Sequence, residues 1–170
     1  MEQINVSGFE GVFEIMEQSF PKDERRKKDE QKALFSVPEY KVFVRREEGK
    51  IIAFIAVWEF ERFLYVEHFA VSPKKRGGGI GAGILSELMK SFDVPVCLEV
   101  EPPETETAVR RIAFYERNGM YFNDYDYIQP PLSEGQNSLP LKIMSSGEKI
   151  SKEQFEEVKS TLYKKVYKVK

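Results

Sequence analysis

The chain has 170 residues and a formal net charge of −2, with 41% hydrophobic and 32% charged residues. That composition belongs to a folded chain with a core of its own; it excludes a disordered polymer and lacks the basic excess of a generic nucleic-acid binder. Cys97 is the one cysteine and forms no internal disulfide, no apolar run reaches the roughly 18 residues of a membrane span, and the first residues carry no signal-peptide pattern.

A single cytoplasmic domain over residues 1–170, with no nucleic-acid or membrane partner, acting as a monomer or homodimer, is expected. In chain order, Phe9, Val12, Phe13, Met16 and Phe20 recur at helical spacing and predict a helix that Pro21 ends. Residues 22–35, KDERRKKDEQKALF, predict a second helix whose interspersed acids and bases form a solvated face. Three extended runs, 40–46, 51–59 and 63–71, joined by the turns EEGK and FER, predict an antiparallel meander. Residues 80–92 predict a helix with Ile84, Leu85, Leu88 and Met89 on one face. VPVCLEV then predicts a strand reached by a right-handed parallel crossover. Residues 105–118 predict a helix closed by Gly119. MYFNDYDYIQ and LPLKIMS predict late strands, with PPLSEGQNS as a loop inside the domain. Ser151 and Gln154 make a capping box for a last helix, whose buried stripe is Phe155, Val158, Leu162 and Val166.

The stretch HFAVSPKKRGGGIGAGIL, His68 to Leu85, holds five glycines between Gly77 and Gly83, directly behind Lys74, Lys75 and Arg76. Glycines let a ligand approach the main chain, and the amides at a helix start favour an anion such as a phosphate. A Walker A loop needs Lys-Ser/Thr after its last glycine, and here Ile84 and Leu85 follow Gly83. A dinucleotide fingerprint is formally present as Gly77, Gly79 and Ala82, with Glu99 or Glu101 downstream. Its first glycine should follow the strand tightly, yet Ser72 to Arg76 intervene, and too few helices and parallel strands remain for a doubly wound sheet.

AVSPKKRGGGIGAGILSELM resembles the acetyl-CoA loop of the GNAT superfamily of acyl-CoA-dependent N-acyltransferases, whose Arg/Gln-x-x-Gly-x-Gly/Ala signature is met by Arg76, Gly79 and Gly81. RRIAFYERNGM resembles the second family block, at Phe114, Tyr115, Gly119 and Met120, and CLEVE resembles the fifth strand. Two departures stand out: Ala108 occupies a place where members often carry Asn, and the connection EPPETETAV is long. The resemblance implies an α+β fold, a GNAT-like α/β/α sandwich. Its central sheet would be mixed and mostly antiparallel, with about six to seven strands and helices on both faces, and the last helix is an addition to that core.

The resemblance further implies transfer of an acetyl group from acetyl-CoA, as co-substrate, to a primary amine. Arg76, Gly77, Gly78, Gly79, Ile80, Gly81 and Ala82 would hold the pyrophosphate, and the main chain of Phe69, Ala70 and Val71 the pantetheine arm. An amine with a pKa of ~10.4 is about 1 in 2,500 neutral at pH 7, so a general base is needed, and Glu99 and Glu67 are the candidates. Tyr115 matches the family's general-acid position, beside the leaving thiolate. Phe20, Glu24 and Arg25, with Tyr125, Tyr127 and Gln129, are candidates for the acceptor side. One His and one Cys assemble no metal cluster, so no metal is expected. Two rival readings remain: a non-catalytic acyl-CoA-binding or sensing module, and N-terminal acetylation of a peptide or protein.

Overall fold

The structure, a computed structural model, describes residues 1–169. Two compact units divide the chain, Met1–Val94 and Pro95–Lys170. In the first, β1 (Glu2–Ile4), β2 (Tyr40–Glu47), β3 (Lys50–Glu59) and β4 (Leu64–Val71) run in that spatial order, each antiparallel to the next. β2 alternates buried Tyr40, Val42 and Val44 with half-exposed neighbours, the pattern of a strand with one face on the core. β3 is buried continuously from Ile52 to Trp58, as a strand covered on both faces must be. The β2–β3 hairpin turns through Glu48 and Gly49, both at positive φ, as a tight two-residue turn requires.

α1 (Phe9–Ser19) packs Phe9, Val12, Phe13 and Met16 against the sheet, as the spacing predicts, and buries Ile15 as well. The expected second helix is broken. A 3-10 turn covers Lys22–Glu24, α2 is confined to Lys28–Ala33, and a further 3-10 turn follows at Leu34–Ser36. The interruption lies at Arg25, which is extended, and at Arg26, which is only 5% exposed. The charge run is therefore not one solvated face: one of its arginines points into the protein, toward a carboxylate far along the chain. β1 was not expected; three residues are too few to show a period.

α3 (Ile80–Ser91) closes the first unit, burying Ile84, Leu85 and Leu88. In the second unit, β5 (Val96–Val100), β7 (Leu139–Ser146) and β6 (Met120–Gln129) lie in that order, antiparallel throughout. α4 (Glu106–Arg117) starts at Thr105, whose hydroxyl accepts from the Ala108 amide at 3.1 Å, and ends before Gly119. α5 (Lys152–Thr161) has the expected capping box at Ser151 and Gln154 and runs on as a π-helical segment, Leu162–Val166. Phe155, Val158, Leu162 and Val166 are all buried. No helix among the described residues is long and apolar enough to cross a membrane.

Candidate functional site

After β4 the chain passes through a 3-10 turn at Pro73–Lys75 and reaches Arg76. Gly79 caps α3 with φ of +74°, a left-handed conformation that costs a residue with a Cβ roughly 1–2 kcal/mol. The Gly83 amide donates to the Gly79 carbonyl at 3.0 Å, so the amides of Ile80, Gly81 and Ala82 stand ahead of the helical ladder, at its positive end. A Cβ built at Gly77, Gly78 or Gly79 meets no heavy atom within 4 Å. The backbone is thus bare at all three glycines. Arg76 is steered by its Nε–H to the Val71 carbonyl at 3.0 Å and its Nη2 to Ser19 Oγ at 3.2 Å. Bare backbone, helix-start amides and a guanidinium form a donor set that fits phosphate oxygens. Phe69, Ala70 and Val71 pair along β3 with Ile55, Phe54 and Ala53.

Glu67 sits at a bulge. Ala56 faces His68 and Val57 faces Val66, which leaves Glu67 unopposed on β3. Its side chain is 2% exposed and pairs with Arg26 Nη1 at 2.8 Å. Trp58 Nε1–H donates to it at 3.2 Å, and His68 Nδ1 lies 3.5 Å away. The other His68 nitrogen, Nε2, donates to the Glu24 carbonyl at 2.8 Å, and Phe20 meets the imidazole edge-on at 4.9 Å. Burial pushes the Glu67 carboxyl up, but Arg26 and His68 outweigh it and hold the group at about 2. The same burial, with the Glu67 charge, raises the Tyr40 phenol, which accepts from Gln31 Nε2 at 2.7 Å.

Glu99, on β5, is held by phenols. Tyr127 of β6 donates to Oε1, and Tyr167, just beyond the π-helical segment, reaches both carboxylate oxygens at 2.8 Å. Tyr163 packs between these tyrosines, 5.9 Å from the Tyr127 ring and 6.5 Å from that of Tyr167, and donates to the Ile128 carbonyl. Tyr115 on α4 is 9% exposed, and burial pushes its phenol to about 12, so it keeps its proton at neutral pH. Cys97 is buried, which lifts its thiol to about 12 as well, the behaviour of a small core residue.

Of the acceptor-side candidates, Phe20 and Glu24 gather at His68 beside Glu67, while Arg25 turns away to Glu17 at 3.4 Å. Tyr127 meets Glu99; Tyr125 stacks on Phe155 with ring centres 4.7 Å apart, and its hydroxyl donates to the Ile150 carbonyl. Gln129 is 6% exposed, with its carboxamide nitrogen buried. Sequence reasoning missed Arg26 and Tyr167. Arg26 is indistinguishable within its charge run. Tyr167 had one signal, its four-residue spacing from Tyr163 beside the Leu162 and Val166 stripe. Among the described residues, no group of three His, Cys, Asp or Glu side chains is arranged to hold a metal ion.

A family model described as an acetyltransferase (GNAT) domain matches residues 38–119. The protein YjbC of Bacillus subtilis (strain 168), whose name describes an acetyltransferase, is 34% identical over 110 residues, 62% of this chain; the match spans about half, 54%, of that curated relative. A GNAT-family structure from Bacteroides thetaiotaomicron superposes with a TM-score of 0.92 at 34% identity, over 100% of both chains. An aminoglycoside 6′-N-acetyltransferase complexed with coenzyme A shares the fold alone, at 15% identity and a TM-score of 0.58 over 86% of this chain and 96% of its own. The α+β fold expected from the sequence is the fold of these structures, and the chain belongs to the GNAT superfamily of acetyltransferases.

Proposed function

We propose that the protein transfers an acetyl group from acetyl-CoA to a primary amine, and that residues 1–170 work as one domain in the cytoplasm. The observation that carries this reading is the Arg76–Ala82 segment, with bare backbone at Gly77–Gly79 and the amides of α3 behind it. A coenzyme A complex of a fold neighbour supports the same donor. When bound, acetyl-CoA supplies the activated thioester; the chain supplies grip, a base and an acid.

In this reading Arg76 and the loop amides hold the pyrophosphate, and the main chain of Phe69–Val71 holds the pantetheine arm. Glu99 takes the proton of the attacking amine. Glu67 is the poorer base, because a carboxyl held at about 2 by Arg26 and His68 has little affinity for a proton. Tyr115, protonated at neutral pH, is the proposed proton donor to the departing thiolate. Phe20, Glu24 and Arg25 of the first unit, and Tyr127 and Gln129 of the second, are the proposed acceptor-side residues, because carboxylates and aromatic faces suit a cationic amine.

The base assignment is tested by pH. Glu99→Gln lowers amine turnover at pH 7 and loses less at pH 9 or above, where more of the amine is already neutral. An equal fractional loss at both pH values removes Glu99 from the role, and a pH-dependent loss in Glu67→Gln instead transfers it there.

A further inference from the structure

The segment after α5 reaches back to the carboxylate that the proposed reaction uses. We infer that Tyr167 is a positioning residue: its hydroxyl, together with that of Tyr127, fixes the Glu99 carboxylate in orientation, and so makes the C-terminal helical segment part of the base. This inference rests on the acetyl-transfer reading.

Three observations carry it. Tyr167 Oη lies 2.8 Å from each carboxylate oxygen, a symmetric contact that sets the plane of the group rather than merely touching it. Tyr127 donates from a different element, β6, so two separate elements hold the carboxylate. The segment is itself fixed: Leu162 and Val166 are buried, and the Tyr163 hydroxyl, one residue past Leu162, bonds the Ile128 carbonyl of β6. The π-helical spacing at Leu162–Val166 sets the direction from which Tyr167 returns, with the Tyr167 amide donating to the Leu162 carbonyl at 3.0 Å.

On β7, the residue opposite Glu99 is Ile143, and Lys142 turns to Asp124 at 2.7 Å and Asp126 at 3.5 Å. On α4, Arg111 pairs with Glu101 at 3.7 Å. Tyr167 of the C-terminal segment and Tyr127 of β6 hydrogen-bond the carboxylate, while the Tyr163 hydroxyl turns to the Ile128 carbonyl. Hydrogen bonds donated to a carboxylate favour its charged form, so removing one makes the group protonate at higher pH.

Tyr167→Phe keeps the ring and deletes the hydroxyl. The ¹³C-detected titration of the Glu99 carboxyl, identified by its loss in Glu99→Gln, is expected to move up by about one pH unit. The acidic limb of kcat for amine acetylation moves with it, and the plateau falls about tenfold, less than the roughly hundredfold of a 1 Å misplacement. KM for acetyl-CoA stays the same. Tyr163→Phe, which removes a hydroxyl of the same segment that bonds the Ile128 carbonyl and not the carboxylate, is the control: it loosens the segment and moves the limb less than Tyr167→Phe does. A Glu99 midpoint and acidic limb unmoved in Tyr167→Phe, in a wild-type protein that acetylates amines, overturn the positioning role alone. A wild type inactive on every amine overturns the acetyl-transfer reading, and the positioning role falls with it.

Discussion

At the scale of single residues, the two candidate carboxylates differ in company. Glu67 faces a buried guanidinium and Glu99 faces phenols. The first arrangement predicts a structural role with a pH signature. The Glu67 carboxyl lies at about 2 in the folded protein against an ordinary 4.5, so its contribution is fully present above the ordinary value and is lost as pH falls from about 4.5 through 2. Glu67→Gln removes the carboxylate paired with the buried Arg26 and is expected to cost about 3–5 kcal/mol in urea unfolding at pH 7. Its stability should also fall less steeply than that of wild type over the acid window; parallel acid profiles would contradict the assignment. Tyr115→Phe is expected to slow single-turnover acetyl transfer about 10²-fold, or roughly 2.7 kcal/mol, with acetyl-CoA affinity nearly unchanged. A rate within about threefold of wild type would assign the thiolate's proton to water or another group.

At the scale of elements, the start of α3 carries the donor-side prediction. Gly79→Val forces a β-branched residue into the left-handed region and places its side chain over the loop. Stability should drop by roughly 1–2 kcal/mol and acetyl-CoA affinity by more than tenfold in calorimetry. Gly49→Val, at φ of +78° in the β2–β3 turn, incurs the same kind of strain away from the loop and should leave affinity intact. Equal affinities in the two variants would remove the loop from phosphate binding. This element was legible in the sequence because its signals are local: glycines behind a strand, then a 3.6-residue stripe at Ile84, Leu85 and Leu88. The capping box at Ser151 and the α4 stop at Gly119 were legible for the same reason. The break between Lys22 and Ser36 was not, because its cause joins Arg26 to Glu67 on β4. The grip of Tyr167 on Glu99 was hidden likewise: both ends look like ordinary residues until the chain is folded.

At the scale of the whole molecule, family membership gives acetyl transfer as the class of chemistry. The Glu99 cluster with Tyr127 and Tyr167 combines a carboxylate with aromatic rings, whereas the Glu67 carboxylate is buried and paired with Arg26. Under the proposed function, a carboxylate beside aromatic rings suits a cationic amine. The most direct measurement is the release of free coenzyme A thiol from acetyl-CoA in the presence of pooled polyamines, aminoglycosides and peptides, with the acetylated product identified by mass. Amine-dependent thiol release above the rate with water, abolished by masking the amine, is the predicted result. Tight acetyl-CoA binding with no amine-dependent release from any pool would contradict it and make the chain an acyl-CoA-binding module.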